Sequence, residues 1–460
     1  MGGKYQVYSE YKDSGHRFVG EIPGRWTRRI VGSLSDVIDP QPDHRAPAIC
    51  NDGQGFPYIG IRDVNKDGTL NFETARPVEE SAVIKQEVSF TIEPNNIVFC
   101  KVGTLGIPRI VVPHGRCALS ATLVLIKVNK DFNSQYMLYA LASNVVTSQT
   151  NYLATGSTRA ALGIQQIRKF QIPVPPLDQQ EKIANFLDHE TAKIDTLIEK
   201  QQQLIKLLEE KRQAVISHAV TKGLNPNALM RDSGVEWLGE VPEHWNISKV
   251  KYLAELTPKK TEVEALKNKT CSFIPMEKLK KDLLILDETR QISQVFDGYT
   301  YFKDEDLLVA KVTPCFENKN MVVARGLHNG VGFGSSEIYV LRPNLESLND
   351  FLYYRLQEDI LMEMATGAMT GAGGLKRVPS VFLNNVQLAL PPMKERLEIV
   401  EYIRGYVSKF DNLMKNSEYV IKLMQERRTA LISAAVTGKI DVRNWQALQP
   451  SNKSNNNTGK

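Results

Sequence analysis

A chain of 460 residues, 42% hydrophobic and 24% charged, is long enough for two or three cored domains, and its formal charge of +5 permits a basic surface without naming a partner. No apolar run approaches bilayer length and no apolar signal core opens the chain, so a cytoplasmic location without membrane partners is expected. Cys50, Cys100, Cys117, Cys271 and Cys315 are odd in number and never form a C-x-x-C pair, which argues against a disulfide scaffold or a zinc site and predicts buried thiols.

The first predicted element is a lead-in that occurs twice. Asp13-Ser14-Gly15, Gly20-Glu21-Ile22-Pro23 and Trp26 recur 219 positions later as Asp232-Ser233-Gly234, Gly239-Glu240-Val241-Pro242 and Trp245. The body that follows, residues 26 to 172, alternates short β-like runs (57–61, 96–99, 121–126) with turn residues, and Lys66-Asp67-Gly68 predicts a hairpin turn. One helix is expected over 134–147, with Tyr136, Leu138, Tyr139, Leu141 and Ala142 on its apolar face. The body therefore reads as a small α+β domain.

Pro175-Pro176 then opens a long helix with no further Pro or Gly before Gly223. About 44 helical residues span roughly 66 Å, a length that needs a partner in water. Ile194, Leu197, Leu204, Leu208 and Val215 fall on the a/d positions of one heptad frame, widened by Ile198 and Ile205. Gln201 and Lys211 flaw that frame. The same segment recurs 216 positions later behind Pro391-Pro392, where Phe410, Leu413, Val420, Met424 and Leu431 continue the frame and Ser417 and Arg427 flaw it. Two such stripes in one chain predict that the helices pair with each other.

The second body, residues 247 to 390, has short apolar runs at 273–276, 307–310 and 336–341 and an expected helix over 348–364. The segment at 96–103 lies opposite 306–313, and Ala154-Thr155-Gly156 opposite Ala365-Thr366-Gly367, while most other positions differ. Equal frames with unlike surfaces imply two related domains that recognise different things. The tail from 451 to 460 is Asn-rich and polar, and is expected to be disordered.

The tests for catalysis return nothing. Gly330-Val331-Gly332-Phe333-Gly334 leads into a strand, so no helix N-terminus is there to hold a phosphate. Asp306 with Lys311 lacks the second carboxylate that a metal-dependent nuclease core would need. The seven histidines make no H-x-x-x-H pair, so no catalytic and no metal-ligating residue is assigned. Basic residues in loops are the better candidates, because Lys and Arg beside Gly, Ser and Thr suit phosphates and guanine edges. The residues expected to bind DNA are Arg62, Lys101, Ser157, Thr158, Arg159, Lys278, Lys311, Lys376 and Arg377, of which Lys101 and Lys311 are matched strand-end cations.

The whole pattern resembles the specificity subunit of type I restriction-modification systems. The likeness is carried by both lead-ins, by Ile172-Pro173-Val174-Pro175-Pro176-Leu177 and Gln180-Glu181-Lys182-Ile183-Ala184, by Leu390-Pro391-Pro392, and most specifically by Glu210-Lys211-Arg212-Gln213-Ala214-Val215-Ile216-Ser217 before Val220-Thr221-Lys222-Gly223. The resemblance implies an α+β fold: two pseudo-symmetric α/β target-recognition domains joined by two long antiparallel coiled-coil helices. Its parts would be a first recognition domain (1–174), a spacer helix (175–222), a second recognition domain (223–390), a second spacer helix (391–440) and a disordered tail (441–460). It further implies that double-stranded DNA is read as a bipartite site, one half per domain. The coiled coil (Ile194, Leu197, Leu204, Leu208, Phe410, Leu413, Val420, Met424) would dock two modification subunits carrying an adenine methyltransferase, and restriction subunits would join. S-adenosylmethionine, ATP and Mg would belong to those partners, and this chain would need no cofactor. A bivalent protein scaffold without DNA recognition fits the spacer equally well and predicts no salt-dependent affinity for DNA. Two departures stand out: His16-Arg17-Phe18-Val19 replaces the Val235-Glu236-Trp237-Leu238 of the second lead-in, and Gly405 lies inside the second helix.

Overall fold

The computed structural model describes residues 5–43, 45–50, 54–156, 160–345 and 348–446. Internal packing divides the chain into two units. One contains everything up to Gln202 together with everything from Glu418 onward, and the other is Gln203–Ser417.

The first unit begins with a hairpin of Tyr11–Asp13 and Glu21–Pro23, after which Thr27–Ile30 pairs antiparallel with Gln171–Val174, the strand that leads into the first long helix. Its main sheet is antiparallel, in the order Ser35–Ile38, Leu123–Val128, Ile97–Cys100, Gly106–Ile110. A smaller sheet joins Arg76–Val78, Phe56–Ile59 and Ala118–Leu119, the last pair parallel. The turn expected at Lys66-Asp67-Gly68 is present: Gly68 takes a φ of 88° that favours glycine, and Asp67 Oδ1 accepts the Thr69 amide at 3.0 Å.

The second unit repeats this plan. Met230–Asp232 pairs with Glu240–Pro242, and Asn246–Lys249 with Gln387–Leu390, the strand before the second long helix. The main sheet runs Ala254–Leu256, Ile338–Pro343, Leu307–Ala310, Met321–Val323, again antiparallel. The second sheet has four strands, in the order Thr289–Gln291, Thr270–Ile274, Val331–Gly334, Thr300–Lys303. The glycine run at 330–334 lies in that sheet, where a Cβ on Gly332 would overlap the Phe302 ring.

Each helix expected in a body is broken once, at matching places. Ser134–Ala142 and Asn144–Leu153 flank Ser143, whose backbone is extended (ψ 160°) and whose hydroxyl donates to the Ala140 carbonyl at 2.7 Å. Asn349–Leu356 and Asp359–Gly367 flank Gln357 and Glu358. A polar residue that satisfies the local backbone ends one helix and starts the next, which an apolar period alone does not reveal.

The long helices are Leu177–Lys222 and Met393–Val436, of 46 and 44 residues, and the second runs unbroken through Gly405. In the first unit, Ile183, Phe186, Ile194 and Ile198 from the start of the first helix share a core with Leu431, Ile432, Ala435 and Val436 from the end of the second. In the second unit, Ile216, Ala219 and Val220 share a core with Ile399, Val400 and Ile403. The helices are therefore antiparallel.

Of the tail expected over 441–460, the first residues pack on the first unit: Val442 is buried, the Asp441 amide donates to the Gln6 carbonyl at 2.8 Å, and the Trp445 ring packs edge-on against Phe186. Residues 447–460 lie outside those described. Of the expected buried thiols, Cys100 and Cys271 are buried, whereas Cys50, Cys117 and Cys315 are partly exposed. Burial pushes the Cys117 and Cys271 thiols up to about 11.

Candidate nucleic-acid interface

The repeated frame comes first, because it holds each body in place. Trp26 and Trp245 are both fully buried. The Trp26 indole N–H donates to Gln179 Oε1 at 3.0 Å, and the Trp245 indole N–H to Glu395 Oε1 at 3.2 Å. Gln179 and Glu395 are the same position of the two long helices, just inside their Pro-Pro openings. The lead-in tryptophan is thus tied in both units to the first turn of a long helix. The other helix closes the same point: Gly223 and Gly438 end the helices at φ 76° and 73°, beside Trp245 and Trp26 respectively.

The buried stripe of the long helices keeps one set of expected positions and shifts the other by one residue. It includes Ile194, Ile198, Gln201, Ile205, Leu208, Arg212 and Val215 on the first helix, and Phe410, Met414, Ser417, Val420, Ile421, Met424 and Arg428 on the second. Ile194, Leu208, Phe410, Val420 and Met424 keep their inward positions. Leu197, Leu204 and Leu413 do not: they are 47%, 41% and 50% exposed. Their leucine side chains had drawn the frame toward them, which placed Lys211 and Arg427 on the seam. The observed seam instead carries Arg212 and Arg428, each with an aspartate on the facing helix. Arg428 forks onto Asp195, at 2.9 and 3.2 Å, and Arg212 Nε lies 3.3 Å from Asp411 Oδ1. Asp195 with Asp411 and Arg212 with Arg428 both recur at the 216-residue offset, and that repetition was the signal for them in the sequence.

The candidate cations fall into different environments. Lys101 is 2% exposed and pairs with Asp39 at 2.5 Å, so it is an internal ion pair and cannot reach a duplex. Its counterpart Lys311 is half-buried, with its ammonium 5.1 Å from the Tyr339 ring centre. Lys278 is held by Asp287 and Glu288, both at 2.7 Å, and these hydrogen bonds raise its ammonium above the usual range. Arg62 is exposed on the short turn Ile61–Asp63. Ser157, Thr158 and Arg159 lie outside the described residues.

Lys376 and Arg377 sit together on an element that the sequence reading missed, a hairpin of Thr370–Ala372 and Leu375–Arg377 closed by Gly373-Gly374. Both turn glycines have positive φ (63° and 82°), as a two-residue hairpin turn requires. Arg377 forks onto Glu337 with two contacts of 2.8 Å, which raise the guanidinium and hold the carboxyl below its usual range. The Lys376 side chain is exposed. Thr313 secures the turn and the second strand: its hydroxyl donates to the Gly374 carbonyl at 2.8 Å and accepts the Lys376 amide at 3.0 Å, and its amide donates to the Lys376 carbonyl at 3.0 Å. Gly371-x-Gly373-Gly374 was the signal for the hairpin.

Comparison with known proteins bears on this arrangement. Residues 31–207 match the family described as the type I restriction modification DNA specificity domain. The EcoEI specificity subunit of Escherichia coli is 32% identical over 47% of this chain and 36% of its own length. The putative MjaX specificity subunit of Methanocaldococcus jannaschii is 21% identical over 92% and 96%. The first half of the chain thus matches that specificity domain, and the chain is similar to type I restriction enzyme specificity subunits. The chain spans about a third of the length of the first curated relatives it matches, and nearly all of the archaeal one. A chain from a solved structure on complex assembly and conformational transition of the type I R-M system shares its fold, with a TM-score of 0.63 at 15% identity over 91% of this chain and 99% of that one. This likeness bears out the expected architecture of two α/β bodies joined by long antiparallel helices. No described helix is long and apolar enough to cross a membrane.

Proposed function

We propose that this chain is a specificity subunit, a cytoplasmic, non-catalytic reader of double-stranded DNA, in which each unit recognises one half of a bipartite site and the long helices set the unread gap. The observation that carries the reading is the duplication of a rigid frame around unlike bodies. Trp26 on Gln179 and Trp245 on Glu395 are equivalent, while the exposed cations around them are not. A repeated mount with two different heads suits an asymmetric target with a fixed spacing, as with paired half-sites elsewhere.

The exposed leucines support the docking part of the reading. Leu197 and Leu207 recur as Leu413 and Leu423, so the helices offer two alike apolar faces, to which Tyr402 and Tyr406 add on the second helix. Two copies of a modification subunit would meet such faces, with restriction subunits joining them. S-adenosylmethionine, ATP and Mg would be bound by those partners.

The deciding experiment measures duplex binding by the chain with its modification subunit as salt is raised, and maps methylated adenines on a random-sequence library. We expect an affinity that falls steeply with salt and a two-part methylated motif. A chain that binds two proteins but shows no salt-dependent duplex affinity is the bivalent scaffold instead. Exchanging residues 26–172 for the body of another specificity subunit should alter one half of the motif only. Inserting seven residues near Gln201 lengthens a helix by about 10.5 Å and should change the gap, not the half-sites.

A further inference from the structure

The hairpin of the second unit is fastened to the protein along one edge and exposed elsewhere. Each of its eight residues, 370 to 377, is exposed, so it adds nothing to a core. An isolated two-stranded hairpin is marginal in water, yet this one is fixed along its second strand and turn by three hydrogen bonds from Thr313 to Lys376 and Gly374, and at its base by the fork of Arg377 on Glu337. It is also longer than its counterpart in the first unit, where Thr155 pairs with Ala161. Gly367 and Val378 are eleven positions apart, whereas their counterparts Gly156 and Leu162 are six apart. Leu162 and Val378 occupy the same place, since their amides donate to the Lys101 and Lys311 carbonyls at 2.8 and 2.9 Å.

The two faces of the ribbon are unlike. Thr370 pairs with Arg377 and Ala372 with Leu375, so these four share the face from which Arg377 reaches Glu337. The other face has one side chain, Lys376, opposite Gly371, where a Cβ would run into the Leu375 carbonyl. That face is bare backbone carrying a single cation. At the tip Leu375 is 55% exposed, an apolar group with no core to join. A two-stranded ribbon fits the major groove of B-DNA, where a bare face allows close approach, a lysine can meet guanine O6 and N7, and an apolar group can meet a thymine methyl.

We infer that the Thr370–Arg377 hairpin enters the major groove of the half-site read by the second unit. Lys376 and Leu375 make sequence-determining contacts there, and Arg377 and Thr313 act as positioning residues. This rests on the DNA-reading function proposed above.

The test uses the full chain with its modification subunit on a random-sequence duplex library, with long-read mapping of methylated adenine. The variants are Lys376→Ala, Leu375→Ala and, to loosen the mount without changing a side chain of the hairpin, Thr313→Val. The expected result is that Lys376→Ala and Leu375→Ala each relax one position of one half-site and leave the other half-site intact. Lys376→Ala should also lower affinity about 5- to 100-fold. Thr313→Val should broaden the same positions less, with an unchanged unfolding midpoint for the first unit. A motif identical to wild type in both tip variants overturns the inference. So does a weakening that is equal across all sequences, which would make the hairpin a backbone clamp. Failure of the underlying function would look different, because the wild-type complex itself would then show no methylated motif and no salt-dependent binding.

Discussion

The two units contain the same Arg–Asp pair across the long helices, yet they use it differently. In the first unit Arg428 and Asp195 fork onto each other and line a groove of about 600 Å³ shared with Arg109. Burial and the nearby Arg428 hold the Arg109 guanidinium below its usual range. In the second unit Asp282, contributed by the body, takes Arg212 at 2.8 Å and draws it from Asp411, and the corresponding groove is about 210 Å³. The difference teaches that the frame fixes which helix positions meet, while the body decides what each meeting does.

The comparison can be broken most forcefully at its most symmetric point. Trp26→Ala and Trp245→Ala each remove a fully buried side chain and its hydrogen bond, and each should cost about 3–5 kcal/mol in its own unit. Calorimetry that resolves the two transitions should show one of them fall in each variant. Equal loss from both transitions with either variant would mean that the frame is not duplicated energetically.

The helix-ending glycines should separate the units. An alanine at Gly438 must adopt positive φ and overlap the Pro23 ring, for about 2–4 kcal/mol. An alanine at Gly223 also takes positive φ but meets the end of the Glu395 side chain rather than a rigid ring, and should cost about 1–2 kcal/mol. Urea melts of both variants would test the order.

A smaller asymmetry is expected of the arginines. Arg212→Ala removes a buried guanidinium with charged partners and should cost about 1.5–3 kcal/mol. Arg428→Ala breaks a pair whose members are each 36% exposed, and should cost less than about 1 kcal/mol. Smallest of all, Leu197→Ala and Leu413→Ala should shift stability by no more than about 0.5 kcal/mol, although both should weaken capture of a modification subunit in a pull-down.

Much of this was legible in the sequence, because repetition is visible without any structure. Both lead-ins, both Pro-Pro openings and both long helices follow from the offsets alone. The seam register was not legible, since Leu197 and Ile198 are equally apolar and only the facing aspartates decide between Lys211 and Arg212. The break at Ser143 was hidden because the apolar period resumes beyond it. Among the candidate cations, Lys101 and Lys311 are the same strand-end residue by alignment, and only Asp39, 62 positions away, takes the first of them out of reach of solvent. Glu337 restrains Arg377 from a turn 40 positions away in the same way, and composition near a cation cannot reveal such partners.

The division of the chain also orders its birth on the ribosome. Residues 203–417 form one unbroken run, so that unit has its whole sequence once Ser417 has emerged. The other unit is synthesised first but lacks Leu431, Ile432, Ala435 and Val436 from its core until the last stretch is made. Vectorial synthesis therefore favours the downstream unit as the earlier to complete its fold, a reversal of the usual N-terminal-first order. A chain stopped shortly after Ser417 would carry one finished reader and one unfinished.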